Sequence, residues 1–154
     1  MRSEPSADAL FLSPVALISI RVHLAAAYPL EGCGFLVGIQ NANRCLIDRA
    51  VPARNAAVNA AAQRFVADPR DLLALEKSLA LSQSKERVIG FFHSHPDAPA
   101  QPSAFDLECA AGLHEVARFK YVYIIAEVAA HEMKALSAWR LNESCDAFIE
   151  LPLS

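Results

Sequence analysis

Two histidines two residues apart, His93 and His95, end an apolar run in the stretch GFFHSHPDAPAQPSAFD, residues 90 to 106. Side chains at i and i+2 of a strand project from one face, about 6.6 Å apart at a rise of about 3.3 Å per residue. Both imidazoles can therefore reach one ion from a strand end. A third ligand has to come from elsewhere, and Asp106 is the nearest carboxylate that a loop and a first helical turn could fold back. Asp97 competes with it, two residues beyond His95 and inside the loop itself. Two imidazoles and a carboxylate leave the fourth tetrahedral position of zinc to water, whose pKa the ion lowers to about 7. That composition describes a catalytic site, because a structural zinc is closed by four protein ligands.

Amide hydrolysis at such an ion needs a base for the water and a donor for the oxyanion. Ser103 precedes Asp106 by three residues at the mouth of the same helix, where its hydroxyl could point at a developing oxyanion. Ser103-x-x-Asp106 also has the form of a capping box. A cap alone does not account for two histidines eight and ten residues earlier. Composition offers Glu31, Glu76, Glu86, Glu108 and Glu115 as bases. Glu31 is the best placed of them, between a helix and the strand of EGCGFLVG, whose glycines admit a second backbone. Spacing by itself leaves the choice open.

The elements that must position these residues follow from local signals. Ser13-Pro14 reads as an N-cap with proline at the first helical position, and Leu17, Ile20, Leu24 and Ala27 recur at helical spacing, which predicts a helix over 14–28. A short apolar segment, Leu10 to Leu12, precedes it. CGFLVGI (33–39) and RCLIDRAVPA (44–53) flank polar QNAN and read as a hairpin. RNAAVNAAAQ (54–63) has no period and reads as a loop, and RFVAD (64–68) as a short strand. Asp68-Pro69 starts a second helix with Leu72, Leu75 and Leu79 on one face. RVIGFFHSH (87–95) reads as a buried strand, Ser103 to Val116 as a third helix, and 120–128 and 132–141 as closing strands. Interspersed helices and strands with hairpin-like neighbours predict an α/β domain, with a mixed sheet flanked by helices.

At 154 residues the chain can bury about 70% of its unfolded surface in one domain. A formal net charge of −3 and the lack of a Lys/Arg cluster exclude nucleic acid and anionic membrane as main partners. Cys33, Cys45, Cys109 and Cys145 form no C-x-x-C pair and read as free thiols of a reducing compartment. Cys33 and Cys109 are expected to be packed. ALFLSPVALISI (9–20) imitates a signal peptide, but Glu4 and Asp8 stand where a positive region belongs and Pro14 splits the run, so cytoplasmic residence is expected. Pro96, Pro99 and Pro102 stiffen the loop after the histidines. His23, His114 and His131 are scattered and carry no assigned role. Trp139 reads as a core or edge anchor.

Taken together, Glu31-x-x-Gly34-Phe35, then His93-Ser94-His95-Pro96, then Ser103-x-x-Asp106 after a loop ending in Pro102, resembles the JAMM motif of the MPN-domain metallopeptidases. RNAAVNAAAQRFVADPRDLLAL and LSAWRL look like the small single-domain bacterial members, so the resemblance covers roughly residues 9 to 142. It implies one MPN (JAB1/MPN, cytidine-deaminase-like) domain over 9–154, after a flexible tail at 1–8, with a mixed, mostly antiparallel sheet. It implies one zinc per chain with a bound water, held by His93, His95 and Asp106. Glu31 would activate that water and shuttle its proton, and Ser103 would stabilise the tetrahedral intermediate.

The implied activity is that of a peptidase or isopeptidase cutting after the C-terminal glycine of a ubiquitin-like protein of the sulfur-carrier type. The large insertions and second zinc site with which some eukaryotic relatives grip one polyubiquitin linkage are absent from this sequence. An extended substrate tail could add as a strand beside residues 54–66, and a homodimer is left open. Two other readings stand beside this one: a non-catalytic MPN scaffold module, and a zinc amidohydrolase acting on another amide. A zinc deaminase would need a C-x-x-C pair.

Overall fold

Nearly continuous burial along the central strands means that both faces of the sheet are covered. The computed structural model describes residues 9–41, 44–55 and 69–154. The strand expected at 64–68, the tail at 1–8, and the loop and docking edge beyond Asn55 lie outside the described residues. The described elements run β1 (Ala9–Leu12), α1 (Pro14–Ala27), β2 (Cys33–Asn41), β3 (Arg44–Ala53), α2 (Pro69–Leu81), β4 (Arg87–Pro96), α3 (Ala104–Ala117), β5 (Val122–Ala129), β6 (Glu132–Leu141) and β7 (Phe148–Leu151). All strands join one sheet in the order β1-β3-β2-β4-β5-β6-β7. β1 pairs with β3 and β4 with β5 in parallel, and the other pairs are antiparallel. The mixed sheet predicted from the order of elements, mostly antiparallel as the resemblance implies, is the one found.

Side-chain alternation assigns the helices to faces. Leu36, Phe92 and Ile124 pack with Ile20 and Leu24 of α1 on one side. Phe35, Phe91 and Tyr123 pack with Leu79 and Leu75 of α2 and Ala110 and Leu107 of α3 on the other. Each of Phe35, Phe92 and Ile124 is fully buried, contributing about 1.5–3 kcal/mol relative to exposure. α1 starts where the Ser13 cap required, with Ser13 Oγ accepting the Ala16 N–H at 3.0 Å and donating to the Asp48 carbonyl at 2.7 Å, so that the cap also ties α1 to β3. Its buried stripe is Ala16, Ile20 and Leu24.

Close approach of β2 to its neighbours depends on Gly34. A Cβ there would overlap the Phe92 ring and meet the Val51 carbonyl oxygen. The short β7 was not foreseen from the sequence. Four residues carry too little alternation to register as a strand, and β7 exists because β6 offers it an edge. Beyond it Leu153 bridges Leu10, with Ser154 N–H donating to the Leu10 carbonyl and Leu12 N–H to the Ser154 carbonyl at 3.2 Å each. The two ends of the sheet thus meet, and the sheet curls. No helix among the described residues is long and apolar enough to cross a membrane.

Candidate metal centre

The pleat decides which face receives the histidines. His93 and His95 share the parity of Phe91, so they point to the side covered by α2 and α3, while Ser94 points to the α1 side. β4 lies between β2 and β5, with His93 paired to Cys33 on one side and to Ile125 on the other, which fixes the strand end. α3 then brings Asp106 back. The capping box is fully formed: Ser103 Oγ accepts the Asp106 N–H at 3.0 Å, and Asp106 Oδ2 accepts the Ser103 N–H at 2.9 Å. The cap and the candidate ligand are thus the same residue pair, and both readings of Ser103-x-x-Asp106 meet in one geometry. The serine is exposed, and its hydroxyl, accepting at the cap, keeps its own proton to donate.

Polar atoms of three side chains converge. His93 Nε2 lies 3.2 Å from His95 Nε2 and 3.2 Å from Asp106 Oδ1, and His95 Nε2 lies 3.1 Å from Asp106 Oδ2. Ligands at about 2.0–2.1 Å from a tetrahedral ion are separated by about 3.3 Å, so the spacing fits one small cation. The tautomer fits too. His95 Nδ1 is 3.0 Å from the Pro99 carbonyl, which can only accept, so Nδ1 carries a proton and Nε2 is the nitrogen left to face the cluster. Burial lowers the pKa of His93 and favours its neutral form. Burial also works against ionisation of Asp106, but its hydrogen bonds with His93 and His95 and with the Ser103 amide outweigh it and hold the carboxyl well below the usual range. A neutral imidazole beside a carboxylate is the protonation state a metal needs. Among the described residues these three form the cluster whose donor atoms could hold a metal ion.

Glu31 is 6% exposed, and desolvation pushes its pKa up to about 7, with the charge of Asp106 adding to the rise and that of His95 opposing it. The other four glutamates are elsewhere: Glu76, Glu108 and Glu115 are exposed, and Glu86 is paired with Arg49 at 3.3 Å. Asp97 is not part of the cluster. Its carboxylate accepts from Tyr28 Oη at 2.9 Å, turned toward the end of α1. That contact helps to pin the loop over the site, together with the Asp97 N–H on the Val128 carbonyl at 2.8 Å and Ser137 Oγ on the Ala100 carbonyl. Trp139 Nε1 donates to the same Ser137 hydroxyl at 2.7 Å, so the predicted anchor supports the loop as well as the core.

Ser94, Asn55, Tyr28 and Ser137 were not singled out from the sequence, since nothing in their spacing signals a long-range contact. The cysteines are free as expected, and Cys33 is buried, but Cys109 is exposed. It stands one residue before buried Ala110, about 100° round α3 from it, and the packing expected for it is not found.

A family model described as prokaryotic homologs of the JAB domain matches residues 14–142. A desampylase of Haloferax volcanii is 33% identical over 111 residues, 68% of this chain and 70% of that protein. A probable TtuB-protein conjugate cleaving protease of Thermus thermophilus is 32% identical over 117 residues, covering 75% and 68%. Tail tip assembly protein K of Escherichia phage N15 is 34% identical over 96 residues, and the chain spans 34% of its length. Among solved structures, a protein from Desulfitobacterium hafniense superposes with a TM-score of 0.75 at 24% identity over 94% of this chain and 91% of that one, a likeness of fold. Matched over most of its length, the chain belongs to the prokaryotic homologues of the JAB domain, the small JAMM/MPN proteins.

Proposed function

We propose that this protein is a zinc-dependent peptidase or isopeptidase that hydrolyses the amide bond after the C-terminal glycine of a ubiquitin-like protein of the sulfur-carrier type. The observation that carries the proposal is the convergence of His93 Nε2, His95 Nε2 and an Asp106 carboxylate within 3.1–3.2 Å of one another, with Glu31 electrostatically coupled to them. The names of the Haloferax and Thermus relatives, which indicate cleavage of ubiquitin-like protein conjugates, support the substrate class. A bound zinc supplies Lewis-acid polarisation and a water acidic near neutrality.

The remaining work falls to the chain. His93, His95 and Asp106 hold the ion, His95 oriented by the Pro99 carbonyl. The Glu31 carboxylate takes a proton from the attacking water and returns it to the leaving amine nitrogen. A pKa raised by burial suits that task, since a group titrating near the working pH both accepts and releases a proton readily. The Ser103 hydroxyl donates to the oxyanion.

The test is the intact mass of ubiquitin-like sulfur carriers extended beyond Gly-Gly, after incubation with zinc-loaded protein and with its Glu31→Gln variant. Loss of the extension with wild type alone is the expected result. Equal loss with both variants refutes the role of Glu31. The likeness to a protein named for tail tip assembly favours one second reading, a non-catalytic MPN scaffold module. No cleavage of any carrier by protein with bound zinc would select it.

A further inference from the structure

Glu31 sits in the link between α1 and β2, and the peptide groups of that link are gripped by side chains from other parts of the chain. The Glu31 carbonyl accepts from Asn55 Nδ2 at 2.8 Å. The Gly32 N–H donates to Ser94 Oγ at 2.9 Å, and the Gly32 carbonyl accepts the Ser94 N–H at 3.0 Å. The next carbonyl, that of Cys33, accepts from His23 Nε2 at 3.0 Å. Gly32 itself lies so close to α1 that a Cβ would come 2.9 Å from Ala27 Cβ and from Leu24 Cδ2.

We infer that Ser94 and Asn55 are positioning residues for the Glu31 carboxylate, an inference that rests on the reading of Glu31 as the proton acceptor. The bond from the Ser94 N–H merely extends the β2–β4 ladder by one step, and any residue but proline at 94 could make it. The bond to Ser94 Oγ needs a hydroxyl. In a regular antiparallel pair the Gly32 N–H would find a main-chain carbonyl, and here the serine side chain takes that place. Ser94 is fully buried and faces α1, opposite to the histidines on either side of it. It therefore holds Glu31 to the same three-residue stretch that carries both imidazoles, without reaching substrate or ion itself.

Asn55 lies just beyond the end of β3 and fixes the other side of the same turn through the carbonyl of Glu31. Between them the two side chains hold the acceptor of residue 31 and the donor of residue 32, so the peptide plane that joins Glu31 to Gly32 is held from both edges. A displacement of about 1 Å at a reacting group can cost about 100-fold in rate.

Ser94→Ala, Ser94→Thr and Asn55→Ala are compared with wild type and Glu31→Gln on a sulfur carrier extended beyond Gly-Gly. Zinc affinity is measured by calorimetry, and amide hydrogen exchange on the zinc-free protein. The expected result is a 10- to 100-fold fall in kcat for Ser94→Ala and Asn55→Ala, with KM and zinc affinity within twofold of wild type. Ser94→Thr, which keeps the oxygen, should recover most of the rate. Independently of turnover, the Gly32 amide should exchange at least tenfold faster in Ser94→Ala, while amides of the β5–β6 pair keep their protection.

An unchanged Gly32 amide in Ser94→Ala overturns the inference, as does a full kcat in both alanine variants while Glu31→Gln is inactive. A parallel loss of zinc affinity would also overturn it, by showing that the two residues support the ligands instead. Equal turnover by wild type and Glu31→Gln refutes the role of Glu31 and removes the basis of the inference with it.

Discussion

Ser103→Ala and Ser103→Gly should differ in stability and agree in turnover, because the cap that the Ser103 hydroxyl forms and the oxyanion contact proposed for it are separable. As a cap, Ser103 Oγ accepts the Asp106 N–H at 3.0 Å. Alanine leaves that donor without its acceptor, at a cost of about 1 kcal/mol, whereas glycine at an N-cap costs only a few tenths, or about 0.3 kcal/mol. Ser103 is exposed, so water can reach the freed N–H in the glycine variant. For a chain of this size 1 kcal/mol corresponds to about 2–4 °C in Tm. The other half of the box, Ser103 N–H to Asp106 Oδ2, is a main-chain donor and survives both substitutions. Asp106 should therefore stay aimed at the histidines.

As an oxyanion donor, the same hydroxyl is absent from both variants, and each should lose about 100- to 1,000-fold in kcat. Ser103→Thr keeps both functions and serves as the control. Stability is read by urea and thermal unfolding of the metal-free proteins, since a bound ion adds its own stabilisation. Turnover is read on the zinc-loaded proteins with an extended sulfur carrier. A glycine variant that turns over like wild type would refute the oxyanion role and leave Ser103 as a helix cap. An alanine variant as stable as wild type would refute the energetic argument for the cap.

Gly34→Val should destabilise the protein by about 1–3 kcal/mol, because the new side chain must displace the Phe92 ring in a filled core, and an unchanged urea midpoint would contradict that packing. Iodoacetamide at pH 8 should label exposed Cys109 well before Cys33 and Cys45, whose thiols desolvation pushes up to about 12 and about 11. Above the ordinary thiol range both stay protonated and unreactive at that pH. Peptide mass mapping of early time points that finds Cys33 modified first would overturn the burial assigned to β2.

What was legible from the sequence is local in its physics. Ser13-Pro14 and Ser103-x-x-Asp106 announce helix starts because a cap is satisfied within four residues. The apolar run at 33–39 announces a strand and that at 87–95 a buried strand, and they are found as β2 and β4. β7 could not be read in the same way, since a four-residue strand is created by the neighbour it pairs with. Cys109 looked packed because it adjoins a predicted site in sequence. Its direction on α3 depends on helical phase relative to the sheet, and only the packing of Ala110 and Leu107 settles that phase.

Residue types and their order set the chemistry on offer: two imidazoles two residues apart on a strand, a serine and an aspartate at a helix start, and a family motif that joins them to a distant glutamate. Strand pleat and helix capping are short-range constraints, and residue order is enough to express them. Assembly of the core is what makes His93, His95 and Asp106 meet within 3.2 Å, turns Asp97 to Tyr28 and desolvates Glu31. It also brought Asn55 and Ser94 onto the Glu31–Gly32 link, across sequence separations of 24 and 62 residues. Those contacts depend on sheet order and on the face to which each helix is assigned, properties of the assembled core that no short segment carries alone.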